Sequence, residues 1–438
     1  MTPRHKPSRP NPNDAIHVAQ IGFGRIAMVH DLPLTIKHED VRLVAVADVD
    51  LARAADGKRW VQDWYRENRD EREVAVQVYQ DYHDLLADPA IDAVIISTPD
   101  HWHAQPAIEA ALAGKDVYLQ KPASLTIREG RQMSDAFNRT GRICQVGSQQ
   151  RSLDPWPQFH RAVELVRNGK IGEITRVEVG LMTDPGGDDE PEMPVPSNLD
   201  YDMWLGSTPY VYYTERRVHP QTDYDRPGWL RCEQFGAGMI TGWGAHHVDT
   251  AHWGMDTEYT GPVEIEGQAE YPQSGLWNVH GSFRVQARYA SGVIMEISDE
   301  YPNGVRFIGS EGWVFVSRGD VTATASDPGA GQAGPGPLAA SDPRILDAVI
   351  GPDGIQIERS VEQHQNWLES IRTRKPPIAP AEIAHRSCSV CLLSQIAMHV
   401  PRKLYWNPDA ERFLNDDEAN TMIARPQRYP YGTAYIRY

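Results

Sequence analysis

The sequence predicts an α/β domain built on a doubly wound parallel sheet, followed by an α+β domain with an open, largely antiparallel sheet. Three observations carry the prediction. Short apolar runs alternate with helical stretches as far as about residue 150, and a turn with two glycines stands directly after the first of those runs. Beyond Pro155 the strands become longer and alternate apolar with polar residues, the signature of sheets with one solvated face.

A polar, proline-containing stretch over residues 1–14 reads as a flexible tail. The first strand runs from Ile16 to Ile21, and the second, Val41 to Asp48, leads into a charged helix beginning at Leu51 and a loop toward Tyr79. A short helix (HDLLADPA), a buried strand from Ala93 to Thr98 and a helix closed by Gly114 repeat the unit. Asp116 to Pro122 supplies another strand and turn, and one more helix and strand end the alternation near Gln150. The domains are therefore placed at residues 15–150 and 151–438. In the second, one helix precedes the alternating strands EITRVEVGLM, VEIEGQAEY, SFRVQARYA and GVIMEISDE. The aromatic loop between Asp200 and Trp229 has a length that usually serves binding. Thr322 to Ser341, rich in Gly, Ala and Pro, reads as a flexible surface excursion, and helices from about Gln363 to Met398 close the chain.

Composition narrows the partners. With 43 basic and 60 acidic residues the net charge is −17, which repels phosphate backbones and anionic lipid, so neither nucleic acid nor membrane is an expected partner. No apolar run approaches the roughly 20 residues of a membrane span, and the start lacks the apolar core of a secretory signal, so a cytoplasmic location is expected. Four cysteines do not make a disulfide framework in 438 residues. Cys388 and Cys391 have redox-motif spacing, but their helix-like setting reads as buried core.

Gly22, Gly24 and Ala27 form a Gly-x-Gly-x-x-Ala turn between a strand and a helix. The first glycine allows the tight turn, the second lets a pyrophosphate approach the backbone, and the small third residue permits helix packing. Phe23, Arg25 and Ile26 complete this segment. Asp48 ends the second strand where a carboxylate can bind both ribose hydroxyls and repel a 2′-phosphate, so NAD is the expected cofactor, and Arg53 reads as a solvated helix arginine.

From Ser97-Thr98-Pro99 through Trp102-His103 to Gln120-Lys121-Pro122, and again in the His246-His247-x-Asp249 run, the sequence resembles the glucose-fructose oxidoreductase, inositol dehydrogenase and rhizopine catabolism family (Gfo/Idh/MocA) over nearly the whole chain. The resemblance implies an N-terminal Rossmann domain, nicotinamide chemistry and sugar-like substrates. It assigns Ser97, Thr98, Pro99, His103, Gln120 and Lys121 to the cofactor beside the glycine turn and Asp48, and makes Lys121 and His246 the acid/base pair. Two departures stand out: Gln120 replaces the family's glutamate, and Gly242 stands where relatives often carry an aspartate.

Substrate contacts are expected from Trp102, with Asp100 and His101 beside it, from Gln149 and Arg151 at the domain junction, from His219, Trp229 and Arg231 of the aromatic loop, and from His247 and Asp249. Sugars are held by aromatic faces and polar edges. His364, Trp367, Glu382, His385 and Arg386 match a C-terminal pattern of one bacterial branch of the family, with helix packing and capping as the alternative. No metal site is expected from His246, His247, Asp249 and His252, because neighbouring helix positions face different directions. The expected activity is NAD-dependent oxidation of a ring hydroxyl of a sugar, glycoside or inositol. The alternatives are a glycosidase that retains NAD and a sensor that has lost catalysis. A homo-oligomer, dimer or tetramer, is expected through the outer face of the second sheet.

Overall fold

The computed structural model describes residues 15–319 and 334–437. The predicted tail and much of the predicted surface excursion lie outside the described residues. The remainder of that excursion corrects the expectation, because Leu338–Ala340 pairs as a strand.

Six parallel strands form the first sheet: β1 (Ile16–Ile21), β2 (Val41–Ala47), β3 (Gln77–Tyr79), β4 (Ala93–Ile96), β5 (Asp116–Leu119) and β6 (Cys144–Val146), in the order β3-β2-β1-β4-β5-β6. The continuous apolar run of β4 follows from burial on both faces. Val94 and Ile96 enter one apolar cluster, and Ala93 and Ile95 enter another that includes Trp367 and Leu368 from the far end of the chain. The crossovers include helices α1 (Leu51–Arg69), α2 (Ala104–Leu112) and α3 (Ile127–Thr140). Asp50 caps α1 by accepting from the amides of Ala52 and Arg53, and Thr126 caps α3 through the amide of Glu129.

Nine strands form the second sheet: β7 (Ile174–Gly180), β8 (Glu264–Ala269), β9 (Phe283–Arg288), β10 (Ile294–Ser298), β11 (Gly304–Gly309), β12 (Trp313–Val316), β13 (Leu338–Ala340), β14 (Leu404–Asn407) and β15 (Arg412–Phe413). All neighbours are antiparallel except β7 and β10. The period of two sorts β9 cleanly: Phe283, Val285 and Ala287 are buried, while Arg284 and Arg288 face solvent. Helices α4 (Pro157–Arg167), α5 (Gly244–Met255) and α7 (Ala381–His399) cover the inner face, and α6 (Gln363–Thr373) reaches back to the first sheet. Cys388 and Cys391 are buried within α7, and burial pushes the Cys388 thiol up to about 11.

Charge ties the two domains at α7. Arg131 of α3 forms a bidentate bridge to Glu382 at 2.7 and 2.9 Å and a second to Glu411 at 2.8 and 3.1 Å. Arg386 joins Glu382 at 2.7 Å, and His385 faces Glu411 at 2.7 Å. Glu382 and Glu411 therefore join the domains through Arg131, His385 and Arg386 hold those carboxylates in place, and Trp367 is core.

Candidate functional site

Strand order reverses between β1 and β4, so their C-terminal ends open a crevice that leads into a deep cleft. The glycine turn lines its mouth. Gly22 has φ 81°, and a Cβ there would come within 3.0 Å of the Ser97 carbonyl oxygen. At Gly24 a Cβ would meet nothing within 4 Å, so the backbone lies bare toward the cleft and a dinucleotide pyrophosphate fits against it. Arg25 and Ile26 also line the cleft, whereas the Phe23 ring turns into the core and packs edge-on against Tyr224.

Asp48 forms the wall at the end of β2. Its Oδ2 accepts from the Phe23 amide at 2.7 Å and its Oδ1 from the Asp50 amide at 2.9 Å, which fixes the carboxylate and leaves lone pairs for a ribose diol. Burial raises its pKa. Arg53 corrects an expectation: its guanidinium is buried, donates to the carbonyls of Pro220 and Asp223 at 2.7 and 3.0 Å, and lies 4.5 Å over the Tyr224 ring. It anchors the aromatic loop to α1. His219 has the same task. It faces Asp50 at 3.0 Å and lines the cleft on the wall of Asp48 and Arg53, at the end expected for the ribose and not for the sugar.

Ser97, Thr98, Pro99, His103, Gln120 and Lys121 all line the cleft from the ends of β4 and β5. His103 acts as a brace: Nδ1 lies 2.6 Å from the Pro122 carbonyl and Nε2 3.0 Å from that of Thr98. Burial pushes its pKa down to about 4, so the neutral ring donates only one of these bonds. Trp102 lines the cleft and is pinned by its indole N–H to the carbonyls of Met203 and Trp204. His101 is held to the Trp204 carbonyl at 2.8 Å. Trp229 reaches the wall from the aromatic loop, together with Trp204, Arg226 and Leu230, which sequence reasoning did not name individually. Their signal was the loop as a whole.

Lys121 is where the domains meet chemically. Its Nζ donates to the Gly242 carbonyl at 3.0 Å, so the main chain of Gly242, where relatives often carry an aspartate, faces the lysine. Asp100 shares this end of the cleft. Burial pushes it up to about 7, against the lowering influence of Lys121 and Arg226. His246 stands one layer behind: Gly242 and Trp243 line the cleft, and His246 is 5% exposed against the Trp243 ring. Burial, with the charges of Arg318 and Lys121, holds its pKa well below the usual histidine value, and its buried Nδ1 has no hydrogen-bond partner among the described residues.

Several expected substrate contacts lie elsewhere. Arg151 pairs with Asp249 at 2.6 and 2.9 Å and with Glu258 at 2.6 Å, and the Arg151 and Asp249 side chains are 2% and 1% exposed, which corrects both expectations. A buried guanidinium needs its carboxylates for itself. His247 is fully buried against Asn303, and burial pushes it down to about 3. Gln149 packs behind Gln120 across Gly147, and Arg231 faces Asp184 at 3.4 Å beneath the Trp277 ring. His364 lies under the cleft floor, close to Asp31, which in turn accepts from Gln120 at 2.7 Å and from Ser97 at 2.6 Å. Asp31 carried no sequence signal, because it lies outside every motif.

Comparison with known proteins follows the same division. A family model described as an oxidoreductase family, NAD-binding Rossmann fold, matches residues 16–148, and its C-terminal alpha/beta domain matches residues 171–322 and 355–433. The scyllo-inositol 2-dehydrogenase (NAD(+)) of Bacillus subtilis (strain 168) is 32% identical over 159 residues, 36% of this chain and 42% of that protein. A glycosyl hydrolase family 109 protein of Shewanella baltica (strain OS155) is 32% identical over 169 residues, 39% of this chain and 35% of its own length. The match thus spans less than half of either curated relative. Among solved structures, the WlbA dehydrogenase of Bordetella pertussis, in complex with NADH and UDP-GlcNAcA, superposes with a TM-score of 0.60 at 17% identity, covering 90% of this chain and 99% of that one. No helix among the described residues is long and apolar enough to cross a membrane.

Proposed function

The chain belongs to the Gfo/Idh/MocA oxidoreductase family, and we propose that it oxidises a ring hydroxyl of a carbohydrate or polyol with NAD bound in the cleft. The observation that carries this reading is the bond from Lys121 to Gly242. It sets an amine from the cofactor domain against the second domain, at the end of the cleft beyond the glycine turn. A bound oxidised nicotinamide supplies the hydride acceptor. Lys121 takes the hydroxyl proton at Nζ, which the Gly242 carbonyl orients. His246, one layer behind Gly242 and Trp243 and kept neutral by burial, is the second proton-transfer group that the family resemblance implies. Trp229, with the more deeply buried Trp102 and Trp204, lines the cleft and supplies aromatic surface for a sugar ring. Asp48 favours NAD over NADP by repelling a 2′-phosphate.

The test is a panel of inositols, hexoses and glycosides assayed for NADH absorbance. A substrate of the wild type should be turned over about 10²- to 10⁴-fold more slowly by Lys121→Met. Near-full activity of that variant would remove the catalytic assignment.

Asp100 supports a second reading. Near neutral pH a carboxyl at about 7 is partly protonated and can donate a proton to a leaving oxygen. With NAD retained, transient oxidation would acidify the neighbouring C–H, the glycosidic oxygen would leave with the aglycone by elimination, and addition of water with return of the hydride would regenerate NAD. Similarity to a glycosyl hydrolase family 109 protein points the same way. Release of aglycone without NADH accumulation distinguishes this outcome from the first.

A further inference from the structure

We propose that His30, Asp31 and His364 form a binding site for a divalent transition metal of the zinc class beneath the floor of the cleft. His30 and Asp31 end the π-helical turn Ala27–Asp31 that follows the glycine turn, and His364 comes from the first turn of α6. Folding brings together two imidazoles and a carboxylate from opposite ends of the chain. His30 Nδ1 lies 3.0 Å and His364 Nε2 lies 3.4 Å from Asp31 Oδ1, and one ligand atom from each residue falls within 4.8 Å of the others. Tetrahedral zinc with bonds of about 2.0–2.2 Å spaces its ligand atoms about 3.3 Å apart, so an ion fits between these atoms with small side-chain adjustments.

The orientation of His364 is the strongest sign. Its Nδ1 lies 3.0 Å from Glu362 Oε1 and its Nε2 turns toward Asp31; the two carboxylates favour the protonated ring, so an ion would bind Nε2 by displacing its proton while Nδ1 keeps its own. That Nε2 is buried and makes no hydrogen bond among the described residues beyond its ion-pair approach to Asp31 Oδ1, and the ring is held by stacking on Tyr118 at 4.0 Å between centroids. A carboxylate on one ring nitrogen with the other nitrogen presented is how proteins orient histidines toward metals. Asp31 is oriented as firmly, by Ser97 on Oδ2 and Gln120 on Oδ1. His30 is 27% exposed at its side chain, which gives an ion a route in and leaves room for water as a fourth ligand. Two imidazoles and one carboxylate suit zinc and cobalt better than calcium or magnesium.

An ion here would clamp the turn after β1 to α6 from beneath Gln120 and Ser97. The inference does not depend on the catalytic reading, because none of the three ligands is given a catalytic role there. The full chain, stripped with a chelator, is titrated with Co²⁺ and then Zn²⁺. Expected are one equivalent bound, visible d–d absorption of cobalt with nitrogen ligands, its loss on zinc addition, and a higher melting temperature with either ion. His30→Gln, at a part-exposed position that should not disturb folding, should weaken binding at least about tenfold. His364→Gln should abolish the cobalt band, whereas His83→Gln, in the surface cluster with Asp81 and Glu109, should leave it intact. Absence of a visible band with the wild type, or an unchanged band in folded His30→Gln protein, overturns the proposal.

Discussion

Replacing Asp249 by Asn should destabilise the protein without touching the cleft. Arg151 is 2% exposed and has two carboxylate partners, Asp249 through a bidentate contact and Glu258 through a single one. Removing one partner of a buried ion pair costs about 3–5 kcal/mol, because the other charge stays buried and uncompensated. Glu258 still neutralises part of the guanidinium here, so the lower end, about 3 kcal/mol, is expected. Asn keeps the shape of Asp and can still accept from Ser387, so little of this loss comes from packing. Urea unfolding at neutral pH reads the effect as a shift of midpoint at unchanged slope. Calorimetric titration with NAD below the unfolding range should give the wild-type affinity. Adding Arg151→Met to Asp249→Asn should recover part of the loss, since the stranded charge is then gone. An Asn variant as stable as the wild type, yet impaired in binding substrate, would refute the structural reading and return Asp249 to the site.

Other expectations follow from the same geometry. Asp48→Ala should weaken NAD binding and narrow discrimination against NADP, measured by calorimetry with both cofactors; preferential binding of NADP by the wild type counts against the assignment of β2. Lys121→Met combined with His246→Ala should lose much less than the product of the single losses if the two residues move one proton, and strict multiplicativity in kcat would separate their roles. Asp100→Asn should remove a titration near about pH 7 from the rate profile, and an unchanged profile excludes Asp100 from it. Burial alone would raise Glu382 and Glu411, but hydrogen bonds outweigh it, from Arg131, Ser134 and Arg386 to the first and from His385 and Arg131 to the second, and hold both carboxyls at about 2. Their stabilisation is therefore full above the unfolded value near 4.5 and is lost as pH falls through about 2, at most about 2–3 kcal/mol each after solvent screening. Arg131→Met should flatten that acid limb in urea melts, and an identical limb in the variant refutes the network's role.

Why some of this was legible and some was not comes down to range. The glycine turn, Asp48 and the strand ends at Ser97 and Gln120 are short-range features of a parallel sheet, and each needs only its own strand and turn to be read. The period of two in β9 likewise announces which residues face inward. Charged residues at the domain junction gave no such local information. Arg151, Asp249 and Arg53 look like ligand contacts or solvated charges until the chain folds and brings Glu258, Pro220 and Asp223 to them. Gly242 shows the reverse: it lacks the aspartate that relatives often carry there, yet its carbonyl takes the lysine, a role that any residue type can fill and no sequence pattern records. Asp31 is the extreme case. It is silent as a sequence position, but through Ser97, Gln120 and His364 it joins β4, β5 and α6 beneath the cleft, so substitutions there should disturb the floor of the site without altering any residue that faces a ligand.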